Sequence, residues 1–176
     1  MLIKKCIYLI KIIYRKYLRA KDPISYARKI GVNMGDNLHL YGKQDWSTEP
    51  WIITLGDNVY LTDNISFITH DGGTLLFRKD IPDLEITKPI IIGNNVYVGV
   101  NTTFLPGITV GNNVVIGACS VVTKDIPDNS VAVGNPARVI KTSEEYFEKI
   151  QVESLHFGHL KGEKKNTALR QFYGKE

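Results

Sequence analysis

From Ile86 to Ile126 the chain counts in sixes. Aliphatic residues stand at Ile86, Ile92, Val98, Val110, Ile116 and Val122, with Phe104 in the same phase. Four residues after each marker comes a small or β-branched residue: Ile90, Val96, Thr102, Ile108, Val114, Ser120 and Ile126. An α-helix cannot present this pattern, because its faces recur at about 3.6 residues. A six-residue unit fits one short strand plus one corner, with two inward positions per unit. The corners carry near copies of one tripeptide, Gly56-Asp57-Asn58, Gly93-Asn94-Asn95 and Gly111-Asn112-Asn113, and these residue types take left-handed or turn conformations at low steric cost. Three hexads close a triangular coil, and coils stack at the inter-strand spacing of ~4.8 Å. The expectation is an all-β, three-sided parallel prism.

The same phase appears earlier at Leu55, Leu61 and Phe67, with Val59 and Ile65 in the second slots. It is weaker at Met34-Gly35-Asp36-Asn37 and Leu40, where the coil is expected to be irregular. The prism is therefore placed at residues 30–141, between an N-terminal segment, 1–29, and a C-terminal segment, 142–176. A helix is expected from Ser143 to Leu155, opened by Thr142 and Glu145 in a capping-box pattern. The polar stretch from Lys161 to Glu176 is expected to be loosely held.

The net charge of +4 conceals an asymmetry, since residues 1–29 hold nine Lys or Arg against one Asp. The remainder is acidic, so the prism is not a general polyanion binder and no nucleic-acid partner is expected. Wound at about 100° per residue, residues 1–19 separate a cationic arc (Lys4, Lys5, Lys11, Arg15, Lys16, Arg19) from an apolar one. The longest uncharged apolar run, Cys6 to Ile10, is too short for a membrane span. Two readings stay open: a helix packed on its own prism or a neighbouring subunit, and a peripheral contact with an anionic membrane. With only Cys6 and Cys119, the chain fits a reducing, cytoplasmic compartment, and Cys119 reads as a small buried residue of the repeat.

The repeat breaks once. Continuing from Phe67 would put Asp71 in the dry core, an arrangement costing several kcal/mol (roughly 2–7 for an unpaired polar group). The chain is therefore expected to leave the prism there, in an excursion over residues 73–85 that carries Leu75, Leu76, Phe77, Ile81 and Leu84. Insertions in repeat arrays map to surface loops that build binding sites. At its root stands Thr69-His70-Asp71. A histidine suits proton transfer near neutral pH, and an adjacent carboxylate can fix its tautomer, so His70 and Asp71 are the candidate catalytic residues. The alternative for this dipeptide is a solvated loop histidine. His39, His156 and His159 lack such placement, and no metal site is expected.

Beyond periodicity, four runs carry a specific resemblance: Ile92-Gly93-Asn94-Asn95-Val96-Tyr97-Val98-Gly99, Phe104-Leu105-Pro106-Gly107-Ile108, Ile116-Gly117-Ala118-Cys119-Ser120-Val121-Val122-Thr123-Lys124-Asp125-Ile126-Pro127 and Gly134-Asn135-Pro136-Ala137-Arg138-Val139-Ile140-Lys141. Over about Leu55 to Lys141 the chain resembles the hexapeptide-repeat acyltransferases, and within them the maltose, galactoside and capsular-sugar O-acetyltransferases. The resemblance implies a left-handed β-helix, a homotrimer, acetyl-CoA in a groove between neighbouring prisms, and a loop histidine, here His70, as general base. It further implies Ala118, Thr123, Lys124, Arg138 and Lys141 as coenzyme contacts, Asn135 and Pro136 beside the coenzyme, and Tyr97 near the thioester end. Gly99 is expected near the backbone N–H that meets the oxyanion. The implied activity is transfer of acetyl to a hydroxyl of a sugar or surface-polysaccharide precursor. A streptogramin-type antibiotic acetyltransferase, an amino-sugar N-acetyltransferase and a non-catalytic β-helix scaffold are the alternatives.

Overall fold

The computed structural model describes residues 13–14 and 17–175; most of the amphipathic segment expected at 1–19 lies outside them. The chain divides into two compact units, Met1–Ser143 and Glu144–Glu176.

In the first unit, after a helix at Pro23–Ile30, short strands visit three sheets in rotation. The first sheet holds β1 (Asn33–Met34), β4 (Ile53–Leu55), β7 (Ile90–Ile92) and β10 (Thr109–Val110). The second holds β2 (His39–Leu40), β5 (Val59–Leu61), β8 (Val96–Val98), β11 (Val114–Ile116), β13 (Ser130–Val133) and β14 (Arg138–Thr142). The third holds β3 (Gln44–Asp45), β6 (Ile65–Phe67), β9 (Thr103–Phe104) and β12 (Val121–Val122). Every pairing between these strands is parallel except β13 with β14, which is antiparallel. Ile91 faces Thr109, Val96 faces Val114 and Thr103 faces Val121, each three hexads apart.

The two inward slots per hexad are filled as expected. Ile92, Val98, Phe104, Val110, Ile116 and Val122 are at most 1% exposed, and Thr102 and Ser120, the polar members of the second slot, are fully buried. Those two hydroxyls donate back across their own corners, to the carbonyls of Gly99 and Gly117, each at 2.7 Å. The third sheet adds an aromatic column. Trp46, Phe67 and Phe104 stack at centroid distances of 5.0 and 5.2 Å, close to the rung spacing of the ladder.

The corner tripeptides divide the work between their residues. At Asn37, Asn58, Asn95, Asn113 and Asn129 it is the asparagine that takes φ between 53° and 57°, and their side-chain amides form a ladder with steps of 2.8–3.0 Å. The preceding residue adds a second ladder: Asp57, Asn94, Asn112 and Asp128 each accept the backbone N–H of the equivalent residue one coil below. Glycine is needed for close approach. A Cβ on Gly56 would lie 2.5 Å from Asn94 Oδ1 and 2.7 Å from the Gly93 carbonyl oxygen.

The coil expected to be irregular keeps its strands in register, Asn33 facing Thr54, His39 facing Tyr60 and Gln44 facing Ile65, and its irregularity is confined to the corner after β3, since each pair stands twenty-one positions apart; its inward Gln44 is satisfied by donating to the Tyr41 and Thr62 carbonyls. Three further expectations are corrected. Ile86 is 38% exposed, because it belongs to the stem of the excursion. Cys119 is exposed at a corner with φ 58°, where lower coils carry Asn64 and Asn101. The polar tail contains a helix, Gly162–Phe172. It has Glu163 in its first turn and Arg170 in its last, which complements the helix dipole, and Phe172 meets Phe157 edge-on. The other helix of this region spans Ser143–Glu153, two residues short of Leu155. Among the described residues no helix is long and apolar enough to cross a membrane.

Candidate active site

Between β6 and β7 the chain leaves the prism. Val59 faces Val96, thirty-seven positions on where an uninterrupted coil needs eighteen, so the excursion is longer than residues 73–85. The surplus is a hairpin stem. His70 bridges Thr87 antiparallel, Asp71 N donates to the Ile86 carbonyl at 2.9 Å, and Lys88 N donates to the Thr69 carbonyl at 2.8 Å. Beyond the stem lies a 3-10 helix, Gly72–Phe77. His70 thus sits on clamped backbone at the exit of the third sheet.

One coil below, the same corner is irregular too. Gln44 faces Ile65, twenty-one positions on, and the three surplus residues fall between β3 and β4, where a 3-10 turn spans Pro50–Ile52. This bulged corner brings Glu49 to His70. Glu49 Oε2 lies 3.1 Å from His70 Nδ1. Thr48 Oγ1 donates to Glu49 Oε1 and Thr69 Oγ1 to Oε2, both at 2.6 Å. The Thr48 and Thr69 hydroxyl bonds, and after them the His70 ring, hold the Glu49 carboxyl at about 2, against the opposing pull of burial. Glu49 is therefore ionised near neutrality and can only accept hydrogen bonds. That assigns the ring proton to Nδ1 and leaves Nε2 with its lone pair unprotonated. Among the described residues Nε2 has no hydrogen-bond partner, and the His70 side chain is 40% exposed.

Asp71, expected to orient His70, is engaged elsewhere. Its Oδ1 accepts the Gly73 N–H at 2.8 Å and caps the 3-10 helix. Neighbours in an extended backbone point to opposite sides, and Asp71 has φ −99°, ψ 105°. The carboxylate that meets the imidazole comes from the adjacent coil instead.

His70 opens onto a groove of about 450 Å³ whose walls include Ile68, Ile86, Lys88, Leu105, Pro106 and Thr123. The groove climbs one edge of the prism, from His70 past Leu105 and Pro106 to Thr123, two coils higher. A larger cleft, about 820 Å³, is lined by Arg19, Ala20, Pro23, Leu40, Gly42 and Lys43, none of which is a carboxylate, histidine or cysteine.

The expected site residues fall into separate groups. His70, Asp71 and Thr123 share the groove, with Lys124 next in sequence. Gly99 and Ala118 stack on each other at the corner between the second and third sheets. Asn135 and Pro136, joined by a cis peptide bond, form the turn above that corner, where Gly134 N donates to Ser120 Oγ. Tyr97 faces outward from β8, 45% exposed, and Arg138 and Lys141 lie on β14, opposite Val133 and Val131. No described ion pair includes Lys124, Arg138 or Lys141, so these cations are open to phosphate. Gly99 does not fit the oxyanion role. Its N–H donates to the Ile116 carbonyl at 2.8 Å, and Gly117 N is likewise taken by Ala132. Among the described residues no backbone carbonyl takes the Ala118 N–H, and Ala118 is exposed.

Sequence reasoning missed Glu49, Thr48 and Thr69. The visible signal was the three-residue surplus between Asp45 and Ile53, which marks a second broken corner.

A family profile described as bacterial transferase hexapeptide (six repeats) matches residues 89–124. Protein CapG of Staphylococcus aureus is 40% identical over 165 residues, covering 92% of this chain and 96% of CapG. A solved structure of galactoside acetyltransferase in complex with coenzyme A is 34% identical with a TM-score of 0.53, covering 76% of this chain and 63% of that one. A hexapeptide-repeat-containing acetyltransferase from Vibrio cholerae O1 biovar eltor, complexed with acetyl coenzyme A, is 28% identical with a TM-score of 0.53, covering 64% and 60%. The chain thus spans nearly all of CapG and less than two thirds of those two structures.

Proposed function

Because this chain belongs to the hexapeptide-repeat bacterial transferases, we propose that it is an acetyl-CoA-dependent O-acetyltransferase acting on a hydroxyl of a sugar or surface-polysaccharide precursor, with His70 as general base. The observation that carries the reading is the imidazole itself: Nδ1 is held by Glu49 at 3.1 Å, and Nε2 has no partner among the described residues and faces the groove.

His70 Nε2 takes the proton of the acceptor hydroxyl as its oxygen attacks the thioester carbonyl carbon. The resulting oxyanion is met by a backbone N–H, for which Ala118 is suited. Collapse breaks the carbon–sulfur bond, and the imidazolium returns its proton to the departing coenzyme thiolate. No covalent enzyme intermediate is involved. A thioester is already activated, so a base contributing roughly 10²–10⁴ in rate, together with correct placement, suffices.

The separation of the site residues supports a homotrimer of left-handed prisms. The His70 groove and the Gly99–Ala118 corner stand at different edges of one prism, with a whole face between them. They meet in one crevice when the edge of one copy lies against the second sheet of the next. That sheet is suited to the contact: its outward positions carry His39 stacked on Tyr60 at 4.3 Å, then Tyr97 and Val115, where the third sheet carries Asp45, Ser66 and Thr103. Acetyl-CoA placed there has Thr123, Lys124, Arg138 and Lys141 at hand for its phosphates.

The test is His70→Ala with release of free coenzyme thiol as the readout, over a panel of sugars and lipid-linked glycans. Turnover is expected to fall by about 10²–10⁴, while acetyl-CoA still raises the melting temperature. Equal loss of coenzyme binding and turnover would make His70 a structural residue.

A further inference from the structure

Thr69 stands beside the base and its side chain is fully buried. Its carbonyl accepts Lys88 N and the next peptide is pinned to Ile86, so the side chain projects from backbone clasped by both arms of the excursion stem. Its hydroxyl lies 2.6 Å from Glu49 Oε2, the same oxygen that meets His70 Nδ1, and 2.7 Å from Ser47 Oγ. A hydroxyl has one hydrogen and the carboxylate only accepts. Thr69 therefore donates to Glu49, and Ser47 donates to Thr69. Ser47 is held for this by a left-handed backbone, φ 60°, with its N–H on Asp45 Oδ1 at 3.1 Å. The result is a directed chain, Ser47 to Thr69 to Glu49, ending on the imidazole. Glu49 needs the support: its side chain is long and a quarter exposed, and the hydroxyl on its other oxygen, Thr48 Oγ1 on Oε1, belongs to an exposed neighbour in sequence that can move with it.

We infer that Thr69 is a positioning residue of the reaction, its buried hydroxyl fixing the Glu49 carboxylate against His70 Nδ1 so that Nε2 stays the basic nitrogen. This rests on His70 acting as the base. Without the hydroxyl, Glu49 samples other rotamers, and the imidazole samples the tautomer whose proton sits on Nε2 and cannot accept one from the acceptor.

The experiment is steady-state thiol-release kinetics on Thr69→Val, Thr69→Ser, Glu49→Gln, the Thr69→Val/Glu49→Gln double variant and His70→Ala, each checked for its melting temperature with and without acetyl-CoA. Thr69→Val is expected to lower kcat about tenfold, the worth of one hydrogen bond to a charged group, with KM for acetyl-CoA within about twofold. Thr69→Ser restores kcat to within about twofold of wild type, and Thr69→Val adds no loss in the Glu49→Gln background, because both act through one carboxylate. The inference is overturned if Thr69→Val keeps wild-type kcat, if Thr69→Ser is as impaired as Thr69→Val, or if the two losses multiply. Should Thr69→Val fail to fold, Thr69→Ala and Thr69→Cys remove the same hydroxyl and carry the same comparison with Thr69→Ser. If His70→Ala keeps its turnover, the base assignment itself fails; if His70→Ala is inactive while Thr69→Val is not, only the role of Thr69 fails.

Discussion

Replacing Gly99 by alanine tests what its missing side chain is for. A methyl there would stand 2.5 Å from Ala118 N, 2.8 Å from Ala118 Cα and 2.9 Å from the Gly117 carbonyl carbon. All three atoms are backbone of the coil above, so no rotamer change relieves them. The coil must lift by several tenths of an ångström, against the Gly99 N to Ile116 O and Cys119 N to Val100 O bonds, both 2.8 Å. Overpacking of this kind costs about 1–3 kcal/mol, and a weakened ladder bond adds about 1 kcal/mol, so a loss of about 2–4 kcal/mol is expected. Gly72 is the internal contrast: its added Cβ meets nothing within 4 Å and its φ lies outside the left-handed region. Gly72→Ala should be neutral or stabilising by up to about 1 kcal/mol, through the lost freedom of the unfolded chain. Urea unfolding of both variants at fixed protein concentration, followed by circular dichroism, measures the pair. Wild-type stability in Gly99→Ala, or a loss above about 1 kcal/mol in Gly72→Ala, would refute close packing as the reason for the glycine.

Two further outcomes are expected. Phe67→Ala should destabilise by about 3–5 kcal/mol, since the ring is 1% exposed between Trp46 and Phe104; a loss below about 1 kcal/mol by the same denaturation would mean the column collapses around the gap. Glu49 makes stability depend on acid. Its carboxyl is lowered from 4.5 to about 2 in the fold, so its contribution is complete above 4.5 and disappears as pH falls through 2. The stability margin of wild type over Glu49→Gln should shrink across that window, and a margin constant from pH 6 to 2 would show that the ionised form gains nothing from Thr48, Thr69 and His70.

The prism was legible because its rule is local. A hexad states its own inward positions, and the placements of Ile92, Val98, Ile116 and their kin need no knowledge of what lies across the tube. The helix at Gly162–Phe172 was not legible. Its sequence, GEKKNTALRQF, leaves no residue buried, so burial wrote no period into it. Cys119 misled for a related reason: the hexad phase says which side chains face in, whereas Cys119 stands at the turning residue, where backbone φ decides direction.

At the site the division is sharper. Sequence alone selected His70, because a broken repeat is visible as a count that fails to resume. It could not select the carboxylate: proximity along the chain favoured Asp71, yet an extended backbone turns adjacent side chains apart. The partner is Glu49, twenty-one positions away and one rung below, where a second bulge stacks under the first. Periodicity fixes which residues lie inside a solenoid, since each coil repeats the last; what meets at its irregular corners depends on how two non-repeating segments stack, and only the folded register sets that.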